Sequence, residues 1–318
     1  MPRCLAAIGL ALIVAACDGS GGTPGAHPEA CSIEQTAVLA VRFVQGSILV
    51  PASINHRPAQ LVVDTGASSS LLTPDAVDRL HLPADPHRST TLHGIGGSVV
   101  TRNALVRSFE IGGLDWQADS IATGELGRHY QEDPPVDGLL GADFLHHQDV
   151  ELDIPHGRIV LWRVQHCAGD FLTWQAPHFA IPLLRYQPNR MVAHVRIDGQ
   201  PVTALIDWGA RFSTITIATA TALGVTPGML ALDRPGSSHG VDQNELPVHA
   251  HRFTELSIGA GTFRNIAIQV ADLQVTDVGM LLGADYVRSR RVWLSYATEQ
   301  MFVERIAPVP PPTPTASR

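Results

Sequence analysis

The chain has no basic cluster, no apolar run long enough to cross a bilayer, and no histidine motif with the spacing of metal ligands. Each absence closes off a class of function. It holds 318 residues with a formal net charge of −8. Without a concentrated positive face, nucleic acid is not an expected partner. The one early apolar run, Leu5 to Ala16, is too short to span a membrane and follows a lone Arg3, the pattern of an export signal. Fifteen histidines are present, yet none forms His-Glu-x-x-His, and His146-His147 are adjacent. Adjacent residues do not share a helix face, so no metal is expected. The cysteines number only four.

What the chain does have is an internal repeat. Asp64-Thr65-Gly66-Ala67 follows the apolar run Leu61-Val62-Val63, and Asp207-Trp208-Gly209-Ala210 follows Ala204-Leu205-Ile206. The flanks match at one constant offset: Ile48 with Met191, Ile54 with Ile197, Pro58 with Pro201, Thr73 with Thr216, Leu80 with Leu223, Leu82 with Val225. Later come Leu139-Leu140-Gly141-Ala142-Asp143 and Leu281-Leu282-Gly283-Ala284-Asp285, offset by one residue less. So many matches mark a tandem duplication. Each copy presents one carboxylate in a glycine-flanked turn behind a strand. Two carboxylates about 3 Å apart cannot both ionise and must share a proton. One then serves as general base on a water, the other as general acid. The glycine after each Asp lets the backbone turn and approach its partner.

Motif and order together resemble the retropepsin-like aspartic proteases, the family of retroviral proteases and their bacterial relatives. The residues that carry the resemblance are Asp64 to Ser68, the flap-like His93-Gly94-Ile95-Gly96-Gly97-Ser98, and Asp137 to Leu145. In the second copy they are Asp207 to Ala210, His239-Gly240-Val241-Asp242-Gln243, and Met280 to Val287. The resemblance implies an all-β fold of two β-barrel domains in a pseudo-two-fold pair, with Asp64 and Asp207 as catalytic dyad. It implies that Thr65, Gly66 and Gly209 orient that dyad, and that the two hairpins close over an extended peptide. No cofactor is implied. A covalent pair would act as a monomer; the rival arrangement pairs two Asp64 turns from separate chains.

Trp208 departs from the family, which places a Thr or Ser there to hydrogen-bond across the dyad. An indole offers one N–H at a different reach, so the ring either fills space or lines a substrate pocket. Trp208 therefore favours a second reading: a degenerate, catalytically weak or inactive protein that binds peptides or a protein partner. A third, a metal-dependent hydrolase, lacks a ligand motif. Arg211 stands where Ser68 stands in the first copy. It is read either as a contact to a substrate carboxylate or carbonyl, or as a solvated charge. His93 and His239 recur at the hairpin bases, for substrate contact or packing. Asp143 and Asp285 are expected to cap the short helices that follow.

The expected layout is a signal peptide at 1–16, a flexible tether at 17–36, a first domain at 37–164, a linker at 165–179, a second domain at 180–305 and a Pro-rich disordered tail at 306–318. Val14-Ala15-Ala16-Cys17 resembles a bacterial lipobox, which would lipidate Cys17 and anchor the chain to the cell envelope, facing the periplasm. Asp18 after the cysteine hints at the inner membrane. The alternative is ordinary cleavage and a periplasmic or secreted protein. Cys4 leaves with the signal, which leaves Cys31 and Cys167 as either a disulfide or two free thiols in an oxidising compartment.

Overall fold

A computed structural model describes residues 29–127, 136–241 and 244–305. The signal peptide, Cys17, the Pro-rich tail, and Asp242 and Gln243 of the second hairpin lie outside the described residues. Among the described residues no helix is long and apolar enough to cross a membrane.

The chain is built of strands, with a few helices of one or two turns. In the first copy Ser47–Ile54 pairs antiparallel with Arg57–Val63. The preceding strand Arg42–Val44 enters by a turn at Gln45 and Gly46, both at positive φ. Arg57–Val63 buries its last three residues and pairs in parallel with Gly138–Leu140, which also pairs antiparallel with Leu71–Leu72. The second copy repeats this arrangement with Gln200–Ile206, Met280–Leu282 and Thr214–Thr216. Each Asp thus leaves the end of a strand whose neighbour is the Leu-Leu-Gly block. Helix Pro74–Leu80 follows, with the Thr73 side chain accepting from the Ala76 N–H and Pro in the first turn, as expected. Thr216 caps Ile217–Ala222 in the same way. The glycine-rich hairpin pairs Ala84–His93 with Ser98–Leu105, and its counterpart pairs Arg234–His239 with Glu245–Ile258.

The copies are joined by a continuous six-strand layer. Its order is Ser32–Ala40, Arg158–Gln165, Asp149–Asp153, Arg291–Ser295, Gln300–Glu304, His178–Tyr186. The seam is the antiparallel pair Asp149–Asp153 with Arg291–Ser295. One apolar core runs through both copies, from Ile48, Leu61 and Val63 to Met191, Ile206 and Trp208. Side chains of the linker also pack: Phe171, Leu172 and Trp174 lie against Trp293 and Phe302. Trp162 stacks on Trp293 with 5.0 Å between centroids, and Arg291 lies 4.6 Å over the Trp174 ring.

Ser32–Ala40 begins inside the segment expected as tether. Its register with Arg158–Gln165 starts at Ser32 opposite Gln165. Cys31 and Cys167, just beyond that pair, form a disulfide. The bond closes a loop of 136 residues in sequence, so it removes much freedom from the unfolded chain. Replacing both cysteines by serine is expected to destabilise the fold by about 2–5 kcal/mol. The measurement is urea unfolding of oxidised wild type against the variant; equal midpoints would show the clasp to be neutral.

Candidate active site

The two Asp turns are held by the same set of bonds in each copy. The Asp64 N–H donates to the Leu140 carbonyl at 3.0 Å, and the Ala142 N–H donates to the Ala67 carbonyl at 2.8 Å. The Asp207 N–H donates to Leu282 at 3.0 Å, and the Ala284 N–H donates to Ala210 at 2.8 Å. The approach is close enough that a Cβ on Gly141 would stand 2.7 Å from the Ser69 carbonyl carbon, and one on Gly283 2.6 Å from that of Phe212. Only glycine fits between turn and strand there.

Asp143 and Asp285 do not cap helices. Gly141 and Gly283 occupy the cap positions without a side-chain bond. Instead Asp143 accepts from the Ser70 hydroxyl at 2.7 Å and its N–H at 2.9 Å, while the Ser70 Oγ accepts from the Gly141 N–H at 2.9 Å. Asp285 and Ser213 repeat the motif, with Ser213 Oγ accepting from the Gly283 N–H at 3.1 Å. Asp143 also accepts from the Phe144 N–H of its own helix at 3.0 Å, but the added donors come from the serine just before Leu71–Leu72, or before Thr214–Thr216 in the second copy. These pairs brace the turns from below.

Across the molecule the turns meet face to face. A Cβ on Gly66 would stand 2.4 Å from the Asp207 carboxyl carbon; one on Gly209 would stand 2.2 Å from that of Asp64. Each glycine therefore lies directly against the opposite carboxylate, and any side chain would displace it. The Asp64 and Asp207 carboxyl groups act on one another, each shifting the other's titration. The Asp64 Oδ1 also accepts from the N–H groups of Gly66 at 3.0 Å and Ala67 at 2.8 Å. The Asp207 Oδ1 accepts from Ala210 at 3.0 Å.

The electrostatics differ between the two. Burial raises both carboxyl pKa values. At Asp64 the rise is opposed by the two backbone N–H bonds, by the Asp207 side chain and by the Arg190 charge. At Asp207 burial is reinforced by the neighbouring Asp64 charge, which pushes the group up to about 8. Two buried, mutually interacting carboxyl groups, both raised, favour one proton held by the pair.

Thr65 ties the turns together through its hydroxyl. It is 1% exposed. Its hydroxyl donates to the Ile206 carbonyl at 2.8 Å and accepts from the Trp208 N–H at 2.9 Å. Trp208, also 1% exposed, packs in the main core. The indole fills space in that core.

The hairpins cross over. Ile95 packs with Val192, Leu205 and Leu281 of the second copy, and its carbonyl accepts from the Gln274 N–H at 2.8 Å. Val241 packs with Leu49, Val62, Leu71 and Ala67 of the first. The Gly96 carbonyl accepts from Asn244 Nδ2 at 3.2 Å, and the Gly94 N–H donates to Gly97 at 2.7 Å within the tip. His93 bonds the Ser98 hydroxyl at 2.8 Å across its own hairpin. His239 pairs with Glu245 at the base of the other, beside Gly240.

One group at the dyad carried no motif signal. Arg190 Nη1 donates to the Gly66 carbonyl at 3.2 Å. Burial lowers its pKa and the charges of Tyr186, Asp207 and Asp64 oppose that fall. At the repeat offset it stands where Ser47 stands, and that broken match was the only available sign. Among the described residues no group of three or more His, Cys, Asp or Glu side chains could hold a metal ion.

An all-β pair of copies closing on two apposed Asp turns defines the aspartic-protease type of fold. The profile of a family described as aspartyl protease matches residues 50–144 and 193–286. The chain belongs to that family, as two tandem retropepsin-like copies. Among curated proteins nothing matches it significantly.

Proposed function

We propose that the chain is an aspartic endopeptidase in which Asp64 and Asp207 together activate a water. The observation that carries this reading is the reciprocal contact of each turn's glycine with the other turn's carboxylate. It supports an intramolecular dyad that holds one shared proton. Ionised Asp64 takes a proton from the water as it attacks the peptide carbonyl; Asp207 gives its proton to the carbonyl oxygen. The bond from water oxygen to carbonyl carbon forms as the carbonyl π pair moves to oxygen. The tetrahedral species then expels the amine with a proton returned by the dyad. Thr65 and the glycine backbones hold the spacing, and the hairpins cover an extended peptide.

The pH profile tests this. Cleavage needs one proton on the pair, so the rate should be bell-shaped. The alkaline limb belongs to loss of the pair's proton, and Asp207 within it is pushed up to about 8. Peptide cleavage is therefore expected to persist at neutral pH and fall as pH rises past that value, with no response to EDTA. A rate that climbs through pH 9, or that chelation abolishes, contradicts the dyad.

The second reading, a peptide-binding protein without hydrolysis, rests on Trp208 in place of a second hydroxyl. It predicts saturable peptide binding with no product at any pH. The same proposal includes an address: a lipid on Cys17 and a periplasm-facing anchor at the envelope. The Cys31–Cys167 disulfide supports an oxidising compartment. A mature mass lacking lipid at Cys17 counts against the anchor.

A further inference from the structure

Two guanidinium groups stand beside the Asp turns without a carboxylate ion-pair partner among the described residues. Arg190 stacks 4.8 Å from the Tyr186 ring centroid, donates from Nη1 to the Gly66 carbonyl, and donates from Nε and Nη2 to the Gln187 carbonyl. Arg211 follows Ala210 in the second turn. It passes against Gly46 of the first copy, where an added Cβ would lie 3.3 Å from its Nε. Its guanidinium carbon is 5.7 Å from the Phe212 ring centroid. The Nε is buried and has no hydrogen-bond partner.

The repeat shows that both charges are departures. Ser47 and Ser68 hold the matching positions in the first copy. It also shows where they lie. Arg190 sits at the junction of the second copy's entry turn with the first Asp turn. Arg211 sits at the converse junction, the first copy's entry turn with the second Asp turn. The pseudo-two-fold exchanges these junctions, so one guanidinium flanks each side of the dyad. The chain as a whole carries −8, so two basic groups here run against its average.

The Arg211 Nε is a buried donor without an acceptor, and carbonyls take three of the five Arg190 N–H groups, so each guanidinium keeps donors for an acceptor that arrives. The planar fork suits a carboxylate. The dyad carboxylates do not serve, being engaged by backbone N–H groups and by their own shared proton.

We propose that the cleft selects peptides with an acidic side chain on each side of the scissile bond, one meeting Arg190 and the other Arg211. This deepens the endopeptidase reading and rests on it. The test uses peptides blocked at both ends, carrying Glu, Gln or Lys on either side of a fixed cleavage site. For wild type, kcat/KM should fall at least about tenfold for each Glu replaced by Gln, since the negative charge and one of the two acceptor oxygens facing the guanidinium are lost. Arg190→Ser and Arg211→Ser install the other copy's residue and should each flatten the Glu-to-Gln ratio on one side only. That ratio does not respond to a merely structural defect. Equal cleavage of Glu and Gln peptides by wild type overturns the proposal, as does a preference that survives both variants. An advantage seen only after the C-terminus is unblocked assigns the arginine to a terminal carboxylate, and that also overturns it. If wild type cuts none of the peptides, affinities for Asp64→Asn decide. A Glu preference in binding then sinks hydrolysis and keeps the selection; equal affinities sink the selection as well.

Discussion

Asp64→Asn and Asp207→Asn should each abolish peptide cleavage while leaving the chain folded. An amide at position 64 cannot take the water's proton, and an amide at 207 cannot give one to the carbonyl. Removing a positioned acid or base lowers a rate by about 10²–10⁴-fold, and the two roles here are interdependent, so the upper end is expected for either change. Near-normal activity in Asp207→Asn with loss in Asp64→Asn would break the intramolecular pair and favour two chains pairing through Asp64.

Stability separates this result from simple unfolding. Unfolded, Asp207 titrates near about 4; folded, burial and then the Asp64 charge push it up to about 8. Between those values the folded chain holds a proton that the unfolded chain has lost. The contribution is fully present below the unfolded pKa and is lost as pH rises through the window. Asp207→Asn removes the share of that dependence owed to Asp207. The variant should therefore gain Tm over wild type at pH 7 and gain little at pH 4. A variant that loses Tm at both pH values would mean that its activity loss reports damage to the fold.

The repeat was legible because both copies keep the residues that backbone geometry demands. Gly66, Gly209, Gly141 and Gly283 stand where no Cβ fits, and Thr73 and Thr216 both cap helices. Pattern of that kind exposes strands, turns and the facing carboxylates. It does not expose contacts made by residues that differ between copies. Arg190 reads as a charge beside a turn until the fold lays it on Gly66. Asp143 and Asp285 carry the sequence signature of a cap, yet tertiary donors on Ser70 and Ser213 win. The strand Ser32–Ala40 hides in a polar stretch, because its pairing partner Arg158–Gln165 lies more than a hundred residues away.

Trp208→Thr should destabilise the chain and should not raise activity. Sequence alone suggests the opposite, since Thr would complete the symmetrical pair of hydroxyls that Thr65 begins. The magnitudes decide. A new internal hydrogen bond contributes about 1 kcal/mol. Truncating a buried Trp costs about 3–5 kcal/mol, because the surrounding core closes only part of the space. Trp208 is 1% exposed, among the largest fully buried side chains, and part of the core common to both copies. Its N–H also donates to Thr65, so a shift of the backbone into the void would pull on the hydroxyl that ties the turns. Loss of packing should thus appear in both Tm and kcat. Trp208→Phe retains most of the volume and the backbone bond, and should keep both near wild type. The comparison needs thermal unfolding and steady-state cleavage on one peptide. A Trp208→Thr chain that melts at the wild-type temperature and turns over faster would show that the ring is a late defect in the site and not its floor.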